Sequence, residues 1–262
     1  MANHAYLEEK ITKNTFETGI KTKVNAKNLF TVLTTLQGVA GDVIVKNTYK
    51  FTGNVVDGDT NAVVADADRG KLAYTSKEYR IKAYKFVYDI LDKEKRQNGN
   101  VIPFSAQGAS EVVWNKINKD FHIALATVTK SHVYTTLSWD AVEDALAELN
   151  LETREGMFLL ANPKDYSTLK KSAEVKAANN GEIIFTGQLK MVDGLAIVTS
   201  IDVPVGTLYI ASKDTVVNEI KEDATVSIDR YNELEKSTYV TAFAGLTYLA
   251  DERHAIKMTK QA

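Results

Sequence analysis

The longest run of helical periodicity lies between Ser105 and Lys130. Val113, Ile117, Phe121, Ala124, Leu125 and Val128 recur at spacings of three and four, which lines them along one side of an α-helix. Asn115, Lys116, Asn118, Lys119 and Asp120 fill most of the remainder. Ser105 or Ser110 can cap the start, and no proline interrupts the run before Lys130. At ~1.5 Å per residue such a helix spans ~35 Å or more. A stripe of that length needs a sheet or another helix along it, so the segment reads as a spine between two subdomains.

Ahead of the spine the period is two. Val43, Val45, Tyr49 and Phe51 alternate with polar residues, as do Tyr79, Ile81, Ala83 and Val87 beyond Tyr74; this is strand spacing. Residues 53–70 between them are rich in Asp, Gly, Asn and Ala. The pattern predicts two long antiparallel arms with a wide acidic tip. They carry too little apolar side chain for a core of their own, and an isolated two-stranded ribbon is marginal in water. The arms therefore either fold back on their own domain or are ordered by a partner.

Residues 1–27 are polar with sparse apolar positions, and read as a frayed terminus or as an extended arm ordered only against a neighbouring molecule. Residues 28–37 form a short buried helix or a strand; Asp92 to Asn100 reads as a charged linker.

After the spine, Ser138 can cap a helix carrying Trp139, Val142, Ala145, Leu146 and Leu149. Met157 to Ala161 has the length and flanks of a buried strand. Asn162-Pro163 is a cap followed by proline in the first helical turn. Lys170 to Gly181 reads as a surface loop. Strands are then expected at 183–185, 195–199, 208–210, 215–220 and 225–228. A long strand through Ser237 to Leu249 and a closing one at Ala255 to Met258 follow. Helices and strands are segregated, so the fold class is α+β.

Composition narrows the function classes. The 262 residues carry a formal net charge of −2, which argues against a dedicated nucleic-acid binder but not against a protein that encloses DNA. There is no cysteine, which removes disulfides and thiolate chemistry. No run of eighteen apolar residues suggests a membrane span, and Met1 to Lys10 lacks the apolar core of a signal peptide, so a cytoplasmic origin is expected. The four histidines, His4, His122, His132 and His254, form no zinc-helix motif. No Walker loop, GxGxxG or Gly-x-Ser-x-Gly elbow occurs. Asp57, Asp59, Asn61 and Asp68 approach calcium-loop spacing, but Ala62 stands where that loop needs glycine. No catalytic, cofactor or metal residues are assigned, and the chain is not expected to be an enzyme.

Four sets of residues together resemble a known family. They are Gly41 to Val45 with Tyr49 and the acidic tip; Leu72, Tyr74 and Tyr79-Arg80-Ile81; Met157 to Tyr166 through Asn162-Pro163; and Gly194 to Ser200 with Ile228-Asp229-Arg230 and the strand to Asp251. Their joint order resembles the major capsid proteins of tailed phages, in the coat-protein branch of the Hong Kong 97-type fold. The resemblance implies an N-terminal arm with a short buried segment (1–40) and an extended hairpin loop (41–91). It further implies a peripheral domain with the spine helix (92–130), an axial domain (131–235) and terminal strands of the peripheral domain (236–262). It implies that Tyr49, Phe51 and Tyr74 lie on a neighbouring subunit while Asp57, Asp59 and Arg69 reach further. The implied function is self-assembly of hexamers and pentamers into an icosahedral or prolate head enclosing double-stranded DNA. The head would be built in the host cytoplasm, with a portal, a separate scaffolding protein, room for a decoration protein, no membrane and no cofactor. The alternative is the shell of a cellular nanocompartment of the same fold.

Overall fold

A computed structural model describes residues 2–27, 29–33, 36, 43–52, 69–151, 154–172, 191–192 and 195–261. Its helices are α1 (Ala2–Lys27), α2 (Asp92–Gln97), α3 (Val101–Ala126), α4 (Trp139–Ala147) and α5 (Pro163–Lys170). The strands before the spine are β1 (Thr31–Leu33), β2 (Val43–Thr52), β3 (Lys71–Arg80) and β4 (Lys82–Leu91). Those after it are β5 (Ser131–Tyr134), β6 (Met157–Ala161), β7 (Met191–Val192), β8 (Leu195–Thr199), β9 (Thr207–Ser212), β10 (Val216–Tyr231), β11 (Lys236–Leu249) and β12 (Ala255–Lys260). They form a four-stranded sheet in the order β1-β10-β11-β4, a six-stranded sheet in the order β5-β12-β9-β6-β8-β7, and the two-stranded ribbon β2-β3.

The spine is α3, and every apolar position expected on its inner side is buried. It starts four residues earlier than expected, at Val101, with Asn100 before it and no side-chain cap. Pro103 sits in the first turn, where its missing N–H leaves no helical bond unmade. Ser105 and Ser110 are therefore interior residues, and Ser110 Oγ donates back to the Gln107 carbonyl at 2.7 Å. The helix ends at Thr127, whose N–H returns to Ala124.

The N-terminal segment corrects the expectation of an extended arm. It is α1, packed along α3 and β10, with Phe16, Ile20 and Thr12 buried. Close approach is possible because Gly19 faces Ser110: a Cβ at Gly19 would lie 2.4 Å from Ser110 Oγ. Phe16 and Ile20 join Trp114, Ile117, Phe121, Tyr84 and Phe243 in one core cluster. That cluster continues onto one face of the six-stranded sheet through Phe158, Leu160, Tyr209 and Ala211. The other face of that sheet, with Leu159, Ala161, Leu208, Ile210 and Met258, is covered by Trp139, Val142 and Leu146 of α4 and Leu169 of α5. The five residues of β6, all buried, alternate between the two clusters, as period-two side chains on a sheet covered on both faces must.

Local chemistry explains these elements. Ser138 Oγ accepts from the Ala141 N–H at 3.3 Å and starts α4; Asn162 Oδ1 accepts from Lys164 N–H at 3.0 Å and starts α5. The charged run after β4 is a helix, α2, because Glu94 reaches back to the Leu91 N–H at 3.0 Å. The strands expected at 215–220 and 225–228 are one, β10 (Val216–Tyr231), with register shifts against β11 at Ile220/Glu222 and Glu222/Thr225 that let one strand bend without breaking.

Sheet membership departs from the boundaries expected at 131–235 and 236–262. β10 belongs with β11 and β4, and β12 is inserted between β5 and β9. The strand expected at 183–185 lies outside the described residues.

Candidate assembly surface

The ribbon is built by continuous antiparallel pairing from Val43↔Arg80 to Thr52↔Lys71. At ~3.3 Å per residue its arms are ~30 Å long. Its base is held to the body at a few points. Ile44 and Tyr79, opposite each other in the register, pack on Val217, Leu246 and Tyr248 of the four-stranded sheet. The Tyr79 and Tyr248 rings lie 4.8 Å apart.

Beside them Lys46 Nζ donates to Glu219 Oε1 at 2.7 Å. The hydroxyl of Tyr248 donates to the same oxygen at 2.7 Å. Glu219 is 1% exposed, and its Oε2 has no hydrogen-bond partner among the described residues. Burial and the adjacent Glu219 carboxylate both push the Tyr248 phenol upward. The ammonium of Lys46 also stands 5.6 Å from the Tyr248 ring centre. A weaker contact, Lys77 to Glu252 at 3.5 Å, adds to the same side.

Beyond the base, the described side chains of β3 have no cover. Every residue of β3 from Lys71 to Glu78 is exposed. Successive strand residues face opposite sides, so a strand exposed at every position has neither face against the body. Leu72 is 60% and Tyr74 69% exposed, and Val43 and Val45 on β2 are about half exposed. Apolar side chains standing together in water mark an interaction surface.

Of the expected contact residues, Tyr49, Phe51 and Tyr74 belong to the ribbon strands and Arg69 to the approach to β3. Tyr74 is opposite Tyr49, and Leu72 is opposite Phe51, in the β2–β3 register. Arg69, exposed, precedes the start of β3. Asp57 and Asp59 lie outside the described residues. Lys46, Ile44 and Tyr79 at the base, and Glu219 beneath them, were not expected. The alternation that exposes Val43 and Val45 also turns Ile44 and Lys46 to the other face, so the signal was the strand period itself.

Elsewhere several ionisable groups are tied into the fold. Asp120 of α3 is buried and accepts from Tyr84 Oη at 2.7 Å, Lys82 Nζ at 3.1 Å and Lys116 Nζ at 3.3 Å. Burial pushes its carboxyl up, but the bonds from Tyr84, Lys82 and Lys116 outweigh that and hold it below the usual carboxylate range. His122 Nε2 is 3.0 Å from Ser200 Oγ, His132 Nδ1 2.7 Å from Glu148, and His254 Nδ1 3.1 Å from Asp251. His122 is on α3, His132 on β5 and His254 in the turn before β12.

No protein-family model and no curated protein matches the chain. Solved structures do. The capsid of the cyanophage P-SCSP1u superposes with a TM-score of 0.68 at 13% identity, covering 90% of this chain and 88% of that one. Mycobacterium phage Che8 gives 0.63 at 14% identity over 87% and 88%. A virus-like particle from Pyrococcus furiosus gives 0.62 at 14% identity over 94% and 97%. An α+β chain with a long spine helix and a projecting hairpin, superposing along almost its whole length on these shells, has the Hong Kong 97-type fold of tailed-phage capsid proteins.

Proposed function

We propose that this chain is the major capsid protein of a tailed phage, assembling through hexamers and pentamers into a closed head around double-stranded DNA. One observation carries the reading: a projecting ribbon, apolar in part, whose strand β3 is exposed at every position from Lys71 to Glu78, on a fold whose solved examples include phage capsids. Such a ribbon gains by lying on another copy, burying Leu72 and Tyr74 at ~25 cal/mol per Å² of apolar surface. Each subunit of a shell makes several such contacts, so individually modest interfaces accumulate into a durable lattice.

In this reading the six-stranded sheet with α4 and α5 is the axial domain, and the four-stranded sheet with α1 and α3 is the peripheral one. Tyr49, Phe51, Tyr74, Arg69, Asp57 and Asp59 are the contact residues. The same reading names as partners a portal, a separate scaffolding protein and, on the outer surface, a decoration protein, with assembly in the host cytoplasm and residence in the virion. Its role is structural.

The test is electron microscopy and sedimentation of the purified protein. Round shells or capsomers are expected; a protein that stays monomeric at high concentration overturns the reading. Deleting 52–71 should leave a folded chain that builds no closed particles. The superposition on the Pyrococcus furiosus particle supports a second reading, a nanocompartment shell that holds cargo in place of a genome. Nuclease-protected, genome-length DNA in particles from an infected host favours the head; protein cargo without DNA favours the compartment.

A further inference from the structure

The four-stranded sheet ends on one side at β4, which among the described residues pairs only with β11. Past the end of β4 the Asp92 N–H donates to the Glu235 carbonyl, just before β11, at 2.8 Å, and from Leu91↔Lys236 the register runs on without a shift. Backbone groups along a strand point to alternate sides, so the even-numbered residues bond to β11. The N–H and C=O groups of Ala83, Lys85, Val87, Asp89 and Leu91 therefore point outward. Their side chains are exposed as well, Val87 at 55% and Leu91 at 47%. At ~3.3 Å per residue this is ~30 Å of open edge, and an open edge with apolar side chains is a template for another strand.

We infer that this edge pairs with the same edge of a second copy, antiparallel about a two-fold axis through Val87. The strand is self-complementary in that register. With Val87 opposite Val87, Lys85 of each copy faces Asp89 of the other, and Ala83 faces Leu91. On the inner side Phe86 faces Tyr88, both half-buried within one copy. A centre on Phe86 or Tyr88 sets each charge against an apolar side chain. A centre on Lys85 or Asp89 opposes like charges, which destabilises facing pairs. A centre between two residues sets outward backbone groups against inward ones and forms no ladder. An edge lysine by itself repels a second strand; here the acid four residues further on answers it. Asp89 already accepts from Lys236 and Thr238 of β11, but its side chain is 45% exposed and open to a second cation. Charge and backbone parity thus choose a second copy as the occupant. A two-fold contact of this kind joins two copies and stops. In the shell reading it links one ring of subunits to the next, apart from the ribbon, and it does not depend on that reading.

The chain has no cysteine, so single introduced ones report the register. Val87→Cys places two thiols on the axis, in opposed residues whose Cα atoms stand ~5.5 Å apart, within disulfide reach. Ala83→Cys keeps Lys85 and Asp89 but sets its two thiols eight residues apart along the strands, ~26 Å and out of reach. With oxidised glutathione, full-length Val87→Cys is expected to form disulfide dimer at least tenfold faster than Ala83→Cys, both with unchanged circular dichroism. Equal rates, or dimer from neither variant, overturn the inference. Val87→Lys, which sets like charges on the axis at an exposed position, is expected to weaken the association of free subunits at least tenfold in sedimentation equilibrium; an unchanged association overturns the inference too. Cross-linked dimer without shells or capsomers refutes the shell reading and supports this inference. Shells whose subunits fail to cross-link at Val87→Cys do the reverse.

Discussion

Lys46→Met tests what holds the ribbon to the body. The change removes the ammonium 2.7 Å from Glu219 Oε1 and leaves that carboxylate, 1% exposed, with Tyr248 alone. Breaking a fully buried ion pair costs ~3–5 kcal/mol, but the Lys46 side chain is 39% exposed, so solvent already screens it. A hydrogen bond to a charged group, ~1.5–3 kcal/mol, is the better guide. The loss also has a ceiling, because a ribbon that lifts off lets water reach Glu219. About 2 kcal/mol is therefore expected, a fall in Tm of about 4–8 °C for a domain of this size.

Glu219→Gln combined with Lys46→Met should cost less than the sum of the two singles, with a coupling of ~1 kcal/mol or more. Lys71→Met, at the exposed end of β3, is the control and should stay within ~0.5 kcal/mol. Urea unfolding gives the stabilities, and limited proteolysis within 43–80 gives the local opening, faster for Lys46→Met. If Lys46→Met matches Lys71→Met in both measurements, the ionic contact does not hold the ribbon and the argument fails.

Phe16→Ala should cost ~3–5 kcal/mol in denaturant unfolding, because Phe16 is wholly buried between α1 and the rest of the core; a change below ~1 kcal/mol would mean that α1 is not part of the core in solution. The two helical glycines should respond with opposite signs. Gly108→Ala, where a Cβ meets nothing within 4 Å, should raise stability by ~0.5–1 kcal/mol. Gly19→Ala, pressed against Ser110, should lower it by ~1–3 kcal/mol and be relieved by Ser110→Gly. Asp120 titrates below the ordinary carboxylate value in the folded chain, so its contribution is present above about pH 4 and lost as pH falls through the folded value; Asp120→Asn should flatten that acid limb of stability against pH. Tyr88 and Tyr134, pushed by burial to about 12, contribute stability below pH ~10 that is lost as pH rises through about 12. Their phenolate absorbance should appear together with unfolding.

Where local chemistry decided an element, the sequence was legible. Ser138 before an amphipathic turn, Asn162 before Pro163, and the apolar run Met157 to Ala161 each carry their own cause, and each element stands where expected. α1 was illegible because its buried stripe is narrow: Thr12, Phe16 and Ile20 follow one i, i+4 row among charged residues, and burial comes from α3, far along the chain. The start of α3 was missed because a serine invites a cap, whereas proline in the first turn works without one. β10 was read as two strands because Lys221 to Asp223 interrupts the β-branched pattern; pairing with β11 carries the strand through that polar stretch. On the ribbon, Tyr74 and Arg69 were visible as exposed candidates, but Glu219 could not be joined to Lys46 without the sheet that brings them together.

The insertion of β12 between β5 and β9 bears on how a subunit is made. Among the described residues β5 pairs only with β12, in parallel, yet roughly 120 residues of translation separate them; at ~5–20 residues per second that is several seconds or more. Until residues 255–260 leave the ribosome, β9 has an open flank and α4 rests on an unfinished sheet. On the shell reading proposed above, a chain short of its last strand would meet its neighbours with this sheet still open, so competence to build would come with the closing strand.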